Sequence, residues 1–302
     1  MVAPLNTSAL ELPGTFVGIV QDAAVDNGIL GSLAPEKPTL FGPVSGATFS
    51  GEPRASIVGE SEPKPAADGP TITSWRAEPV KAVVQVRASD EFMWADEDYQ
   101  MGILRDLVAP SFGRAIGRFA DLFTFHGINP ATGTVSDKAT KYLSQSTQTV
   151  APAGAPTSEL IASIKGLGGN VNGIAADKAY AFDLASEVYP EGHSLAGQPM
   201  YPTAGFGDIN NWRGLKVATS STVPGAPEMA DSGIKAFIGD WASIRWGFQR
   251  KFPLEVVEYG DPDNTGRDLK GHNEILFRSE AVIYVAIADV EKFAVVKEEA
   301  GA

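Results

Sequence analysis

Between Ile103 and Phe123 apolar residues recur at intervals of three and four: Ile103, Leu104, Leu107, Val108, Phe112, Ile116, Phe119, Leu122 and Phe123. This period draws one apolar stripe down a helix of about six turns, and the rest of the chain must cover that stripe. Ser89 or Asp90 can cap the start of the segment, and Gly127 is a plausible stop. Pro110 has no backbone N–H, so it is expected to kink the helix or to begin a second segment. Arg105, Arg114 and Arg118 fall between the apolar positions. Salt bridges or a solvated face is the simpler reading of these arginines, and contact with DNA the sharper one.

The flanking segments divide by pattern. Residues 1–43 have little periodicity and frequent Pro and Gly, which predicts an extended arm with one short helix near 19–28. Such an arm has little core of its own, so something else must hold it down. Residues 44–88 read as a long β-hairpin, rising through "GATFSGEPRASIVGE" and falling through "TITSWRAEPVKAVVQVRAS". Two isolated strands are marginal in water, so a hairpin of this length implies a partner surface or a flexible flap. Residues 128–156 are polar and rich in Pro and Gly, and 157–232 combine short helices and strands. Residues 233–297 are mostly strands that should return to the long helix. The fold class is α+β. The units are an arm (1–43), an extended loop (44–88), a discontinuous main domain (89–129 with 233–302) and an α/β insert (130–232).

Composition excludes several functions. Among 302 residues there are 37 acids against 24 bases, a net charge of −13, which argues against a free-standing nucleic-acid binder. With no cysteine, disulfides, thiolate metal sites and thiol nucleophiles are excluded. No apolar run reaches the ~18–20 residues of a membrane span, and the first residues lack a signal-peptide pattern. A soluble protein made in the cytoplasm is the default expectation. His126, His193 and His272 show no metal-ligand spacing and read as surface or loop residues, so no metal or cofactor is expected. "GLGGN" at 166–170 lacks the Lys-Ser/Thr of a phosphate loop and reads as a helix-ending turn, and "AGFGD" at 204–208 is as weak. "DPDNTGRD" at 261–268 offers oxygens but no terminal glutamate at calcium-loop spacing, and reads as a solvated turn. Trp241 and Trp246 read as packing residues.

In this order of segments, the stretch from "VKAVVQVRASDEF" to "FADLFTFHGINPATG" resembles a capsid pattern: a strand, a serine-acid cap, a long spine helix and a glycine end. "FIGDWASIRWGFQRKFPLEVVE" and "NEILFRSEAVIYVAIADVEKFAVV" are similar to the later strands of the same pattern. The chain resembles the major capsid proteins of tailed double-stranded-DNA phages, the Hong Kong 97 type, whose fold is shared with encapsulin shells. That resemblance implies a peripheral domain holding the spine helix and an axial domain at 130–232. It implies hexamers and pentamers of an icosahedral head around packaged double-stranded DNA, with arm and hairpin lying on neighbouring subunits. Further partners would be a separate scaffold protein (or a chain already processed), a portal and a decoration protein, but no membrane. The chain would be assembled in the host cytoplasm and reside in the virion.

Some relatives weld subunits by an isopeptide bond from a loop lysine to an asparagine, with a glutamate as base. Here the resemblance points to Lys64, inside "SEPKPAADGP", with Lys81 as the alternative amine, to Asn273, and to Glu280 seven residues later. On a regular strand that offset would put Asn273 and Glu280 on opposite faces, and so at different subunit junctions. The plainer reading pairs Glu280 with Arg278 or another base and leaves Lys64 a solvated tip. Three other functions fit parts of the chain: an encapsulin compartment, a soluble α/β enzyme with a hairpin lid, and a decoration or tail subunit. The enzyme reading lacks a convergent His, Cys or nucleotide motif, and the spine helix argues against the last.

Overall fold

The computed structural model describes residues 28–50, 55–64, 71–94, 102–201, 209–250 and 254–298. The expected helix near 19–28 lies outside them but for its last residue, which precedes a helical turn, α1 (Ile29–Leu33).

The apolar stripe of the long helix does become the centre of the molecule. A π-helical turn over Leu104–Val108, closed by the Ala109 N–H on the Leu104 carbonyl, leads into α2 (Ala109–His126), with Pro110 in its first α-helical turn. The helix therefore passes Pro110 without ending. It stops at Gly127, whose left-handed φ of 67° lets its N–H reach the Phe123 carbonyl at 3.1 Å. A Cβ there would lie 2.5 Å from the Tyr142 ring, so glycine is required twice over.

Below the helix lies a four-stranded antiparallel sheet built around β13 (Glu274–Ile287). One side of β13 pairs with β3 (Val80–Ser89), the other with β11 (Ile244–Arg250) and β12 (Leu254–Val257). Phe112, Ile116, Ala120 and Phe125 of α2 share one core with Ala82, Ala281, Ile283 and Trp241. Burying each large side chain of this kind stabilises the fold by about 1.5–3 kcal/mol.

The hairpin differs from its sequence reading. β1 (Val44–Ser50) and β2 (Thr71–Ala77) pair in an antiparallel register from Val44↔Ala77 to Ser50↔Thr71. The second half of the expected falling strand is β3, which leaves the hairpin and pairs with β13 from Glu274↔Ser89 to Ile283↔Val80. The alternation Val80, Ala82, Val84 satisfies either partner, but only β13 and α2 give those side chains a core.

A second, six-stranded sheet runs β6 (Thr149–Val150), β14 (Phe293–Lys297), β10 (Ile234–Gly239), β7 (Gly173–Ala176), β9 (Leu215–Thr219) and β8 (Asn211–Trp212). Helices α3 (Pro156–Gly166) and α4 (Lys178–Ser186) cover one face, through Leu160, Ala181 and Leu184 packed on Ile174, Ile238 and Val296. The opposite face presents Phe237, Phe293 and Val295 to the α2 core. Thus β10 and β14, expected to return to the long helix as strands of the main domain, pair with strands of the insert and reach the helix only through one face. Their two apolar faces demand a layer on each side, and this position supplies both. The turn after α3 is the glycine-rich ending expected of "GLGGN", with Gly168 and Gly169 at positive φ.

The described part of the arm is held by its own chain. Trp246 Nε1 donates to the Ala34 carbonyl, the Lys37 N–H to the Trp246 carbonyl, both at 2.8 Å, and the Tyr284 hydroxyl to the Lys37 carbonyl at 2.6 Å. Gly247 allows this approach: a Cβ would sit 2.4 Å from the Lys37 oxygen. Trp241 and Trp246 are buried, as their packing reading required.

Candidate assembly and crosslinking residues

Lys64 is exposed, and it makes no ion pair or hydrogen bond among the described residues. It follows a run, 55–63, that is exposed throughout and includes Ile57 and Val58. Asn273 is also exposed. It stands one residue before β13, in the left-handed conformation (φ 53°, ψ 49°) that asparagine tolerates, and its carbonyl accepts from the Asp90 N–H at 2.7 Å. The opposite-face argument therefore fails for Asn273, because it is not on the strand whose alternation was invoked. What separates it from Glu280 is distance: six strand steps, about 20 Å.

Glu280 lies on β13 across from Val83. Its Oε1 is 2.6 Å from Lys81 Nζ, and its Oε2 is 4.0 Å from Arg250. The structure thus brings together Glu280 and the alternative lysine, and brings neither to Asn273 or Lys64. The plainer reading, a pair with Arg278 or another base, is met by Lys81, while Arg278 donates to the Pro262 carbonyl at 2.9 Å and to Gln85.

The arginines of the long helix part company. Arg118 makes a two-pronged pair with Glu228 at 2.7 and 2.6 Å and also donates to Ser221 Oγ and the Ala226 carbonyl. That occupies four of a guanidinium's five N–H groups, so Arg118 is an internal tie, the salt-bridge reading rather than the DNA reading. Its pKa is raised, first by the Glu228 hydrogen bonds, and that of Glu228 is lowered by the same contact. Arg114 is exposed, and among the described residues its one hydrogen bond goes to Ser111 Oγ on its own helix, at 3.1 Å. The Arg105 side chain lies outside what the structure describes.

Two polar centres escaped the sequence reading. Asp121, fully buried on α2, accepts the first two N–H groups of α1, Ile29 and Leu30, at 3.0 Å each, and the Thr222 hydroxyl at 3.1 Å. Burial pushes its pKa up to about 6 against these three hydrogen bonds and the nearby Arg118 charge. One and a half turns further on, His126 is buried too, correcting the expectation of a surface residue. Its Nε2 lies 2.9 Å from the Val223 carbonyl, and desolvation lowers its pKa. Arg118, Asp121 and His126 together clasp residues 221–228 to the helix.

The second centre is the turn at 261–268. It faces solvent, as its solvated-turn reading expected, and also folds around Arg87 of β3, whose guanidinium contacts Asp261, Asp263, Thr265 Oγ1, the Arg267 carbonyl and Glu274. The pKa of Arg87 rises with these contacts, and that of Asp263 falls well below the carboxylate range, both led by their shared hydrogen bonds. No group of three or more His, Asp or Glu among the described residues is arranged to hold a metal ion, and no described helix is long and apolar enough to cross a membrane.

No family model matches the sequence, and no curated protein matches it either. Solved structures do. A chain of Mycobacterium phage Ogopogo is 35% identical, with a TM-score of 0.80 over 90% of this chain and 92% of that one. A chain of Gordonia phage Cozz is 24% identical, with a TM-score of 0.73 over 91% and 87%. The capsid of a native gene transfer agent particle shares the fold at 14% identity, with a TM-score of 0.63 over 92% and 91%.

Proposed function

The chain belongs to the Hong Kong 97 type major capsid proteins of tailed phages, and we propose that its copies form the hexamers and pentamers of an icosahedral head that encloses double-stranded DNA. It is a structural protein of a capsid shell. The observation that carries the finer reading is the β1–β2 ladder. Among the described residues its strands pair only with each other, and beyond its last pair it bears Ile57 and Val58 in water. A lone two-stranded ribbon is marginal by itself, and neighbouring subunits would supply its missing support. A scaffold protein, a portal and a decoration protein complete the proposed partners. Any contact with DNA falls to Arg114 and Arg105 and is weak and sensitive to salt. The test is sedimentation and electron imaging of the purified particles, followed by analysis of their contents. Nucleic acid inside supports the phage head, an enzyme cargo would move the chain to the encapsulin reading, and turnover by a small oligomer would favour a lidded enzyme.

A covalent version of this reading has one observation in its favour: the Lys64 amine and the Asn273 carboxamide are both exposed and, among the described residues, uncommitted. The deprotonated Lys64 amine of one subunit would attack the Asn273 Cγ of another. A C–N bond forms, the carboxamide nitrogen leaves as ammonia, and Glu280 of a nearby subunit relays the proton once its pair with Lys81 opens. Mature particles boiled in denaturant should show covalent ladders that Lys64→Ala abolishes and Lys81→Ala keeps. Ladders unchanged by Lys64→Ala would remove this residue from the chemistry.

A further inference from the structure

The start of α3, the end of α4 and the chain that leaves α4 line a groove of about 770 Å³. Its apolar residues include Pro152, Pro156, Ile161, Val188, Pro190 and Met200. Its charges are four carboxylates, Glu159, Asp183, Glu187 and Glu298, against one amine, Lys235, which Glu298 holds at 2.9 Å.

The other three carboxylates have no cation among the described residues. Glu159 is buried and accepts from the Ala153 and Gly154 N–H groups, at 2.6 and 3.1 Å, and from the Tyr180 hydroxyl at 3.0 Å. Glu187 accepts the Thr157 N–H at 3.2 Å and the Thr157 hydroxyl, both on Oε2, so its Oε1 is free among the described residues. The Thr157 hydroxyl is 2.7 Å from the Tyr201 oxygen, which accepts from Trp212 Nε1 at 2.9 Å, and this chain of contacts fixes Glu187 in place. Asp183 is exposed, and its carboxylate makes neither ion pair nor hydrogen bond among the described residues.

That placement is unfavourable for the chain alone. The carbonyl end of a helix favours cations. The last turn of α4 has no base, and Asp183 and the cap residue Glu187 stand there four positions apart. What the groove lacks is positive charge, and the segments outside the described residues have little to give. Residues 1–27, 65–70, 95–101, 202–208 and 299–302 contain no Lys or Arg.

We propose that this groove docks an extended basic segment of a different protein, with two Lys or Arg side chains one residue apart answering Asp183 and Glu187. Proline or small apolar residues between and beside them would rest on Pro156, Val188 and Met200. The spacings agree: Cβ atoms four positions apart on a helix are about 5–6 Å apart, and alternate residues of an extended chain about 6.6 Å. The site belongs to a single chain and stands whether or not the shell reading does.

The probe is a fluorescein-labelled peptide, Ala-Lys-Pro-Lys-Ala, followed by anisotropy on the unassembled full-length chain at low salt, with Ala-Glu-Pro-Glu-Ala as the control. The lysine peptide should bind and the glutamate peptide should not. Asp183→Lys should weaken binding about fivefold. Glu60→Lys, the same change of net charge on the exposed hairpin, should leave it unchanged. Equal losses in the two variants would mean attraction to net charge alone and overturn the groove, as would a lysine peptide that fails to bind or ignores Asp183→Lys. Shells assembled in the peptide's presence should retain it. Shells that exclude it would put a neighbouring copy on the groove and overturn the foreign partner.

Discussion

Asp121 ties the start of the described chain to the long helix, and its substitution by asparagine isolates what its charge does. The carboxylate is wholly buried, and burial raises its pKa from the ordinary 3.8 to about 6, in spite of two amide hydrogen bonds and one from Thr222. The folded protein therefore holds this proton where the unfolded chain has lost it. The resulting stabilisation is complete below the unfolded value and disappears as pH rises through the folded one. The full swing is about 3 kcal/mol, at 1.36 kcal/mol per pKa unit over the difference between about 6 and 3.8. Between pH 7.5 and pH 5 the recoverable part is about 1.4 kcal/mol, favouring the fold at the lower pH. The assay is urea denaturation of the unassembled full-length chain and of Asp121→Asn at the two pH values. The wild type should gain about 1.4 kcal/mol more than the variant on acidification. Equal gains would show that Asp121 does not titrate in this range, and a larger gain by the variant would show that its hydrogen bonds outweigh its burial.

Three further substitutions test the ties around the long helix. Gly127→Ala puts a Cβ in the left-handed region and against the Tyr142 ring, and should cost about 1–2 kcal/mol or more, read as a lower midpoint in urea. Arg118→Ala removes the paired contact with Glu228. Discounted for its partial exposure, the loss should be roughly 1–2 kcal/mol, with faster hydrogen exchange across 221–228. Arg87→Leu leaves the carboxylates of 261–268 without their shared cation, so exchange of the Thr265 and Gly266 amides should quicken while the melting of β13 changes less.

The long helix was legible because its signal is local. Three- and four-residue spacing from Ile103 to Phe123 fixes its face, and Gly127 marks its end whatever surrounds it. What the sequence hid depends on residues far apart. Asp121 looks like one more polar helix position until Ile29 and Leu30, about ninety residues earlier, are seen to lend it their amides. The turn at 261–268 is solvated as it reads, but its organisation is hidden because the cation it gathers around, Arg87, sits more than 170 positions upstream. β3 reads as hairpin because a period of two names a strand but not its partner, and only β13 decides between the choices. Among the crosslinking candidates, seven-residue spacing suggested a strand geometry, whereas the left-handed turn at Asn273 ends that regularity one residue before β13 begins.

The most direct test of the account is an electron-microscopic reconstruction of particles that contain this chain. The expected result is an icosahedral lattice of hexamers and pentamers. A uniform species of two to six copies that never closes into a shell, with or without scaffold, would contradict it.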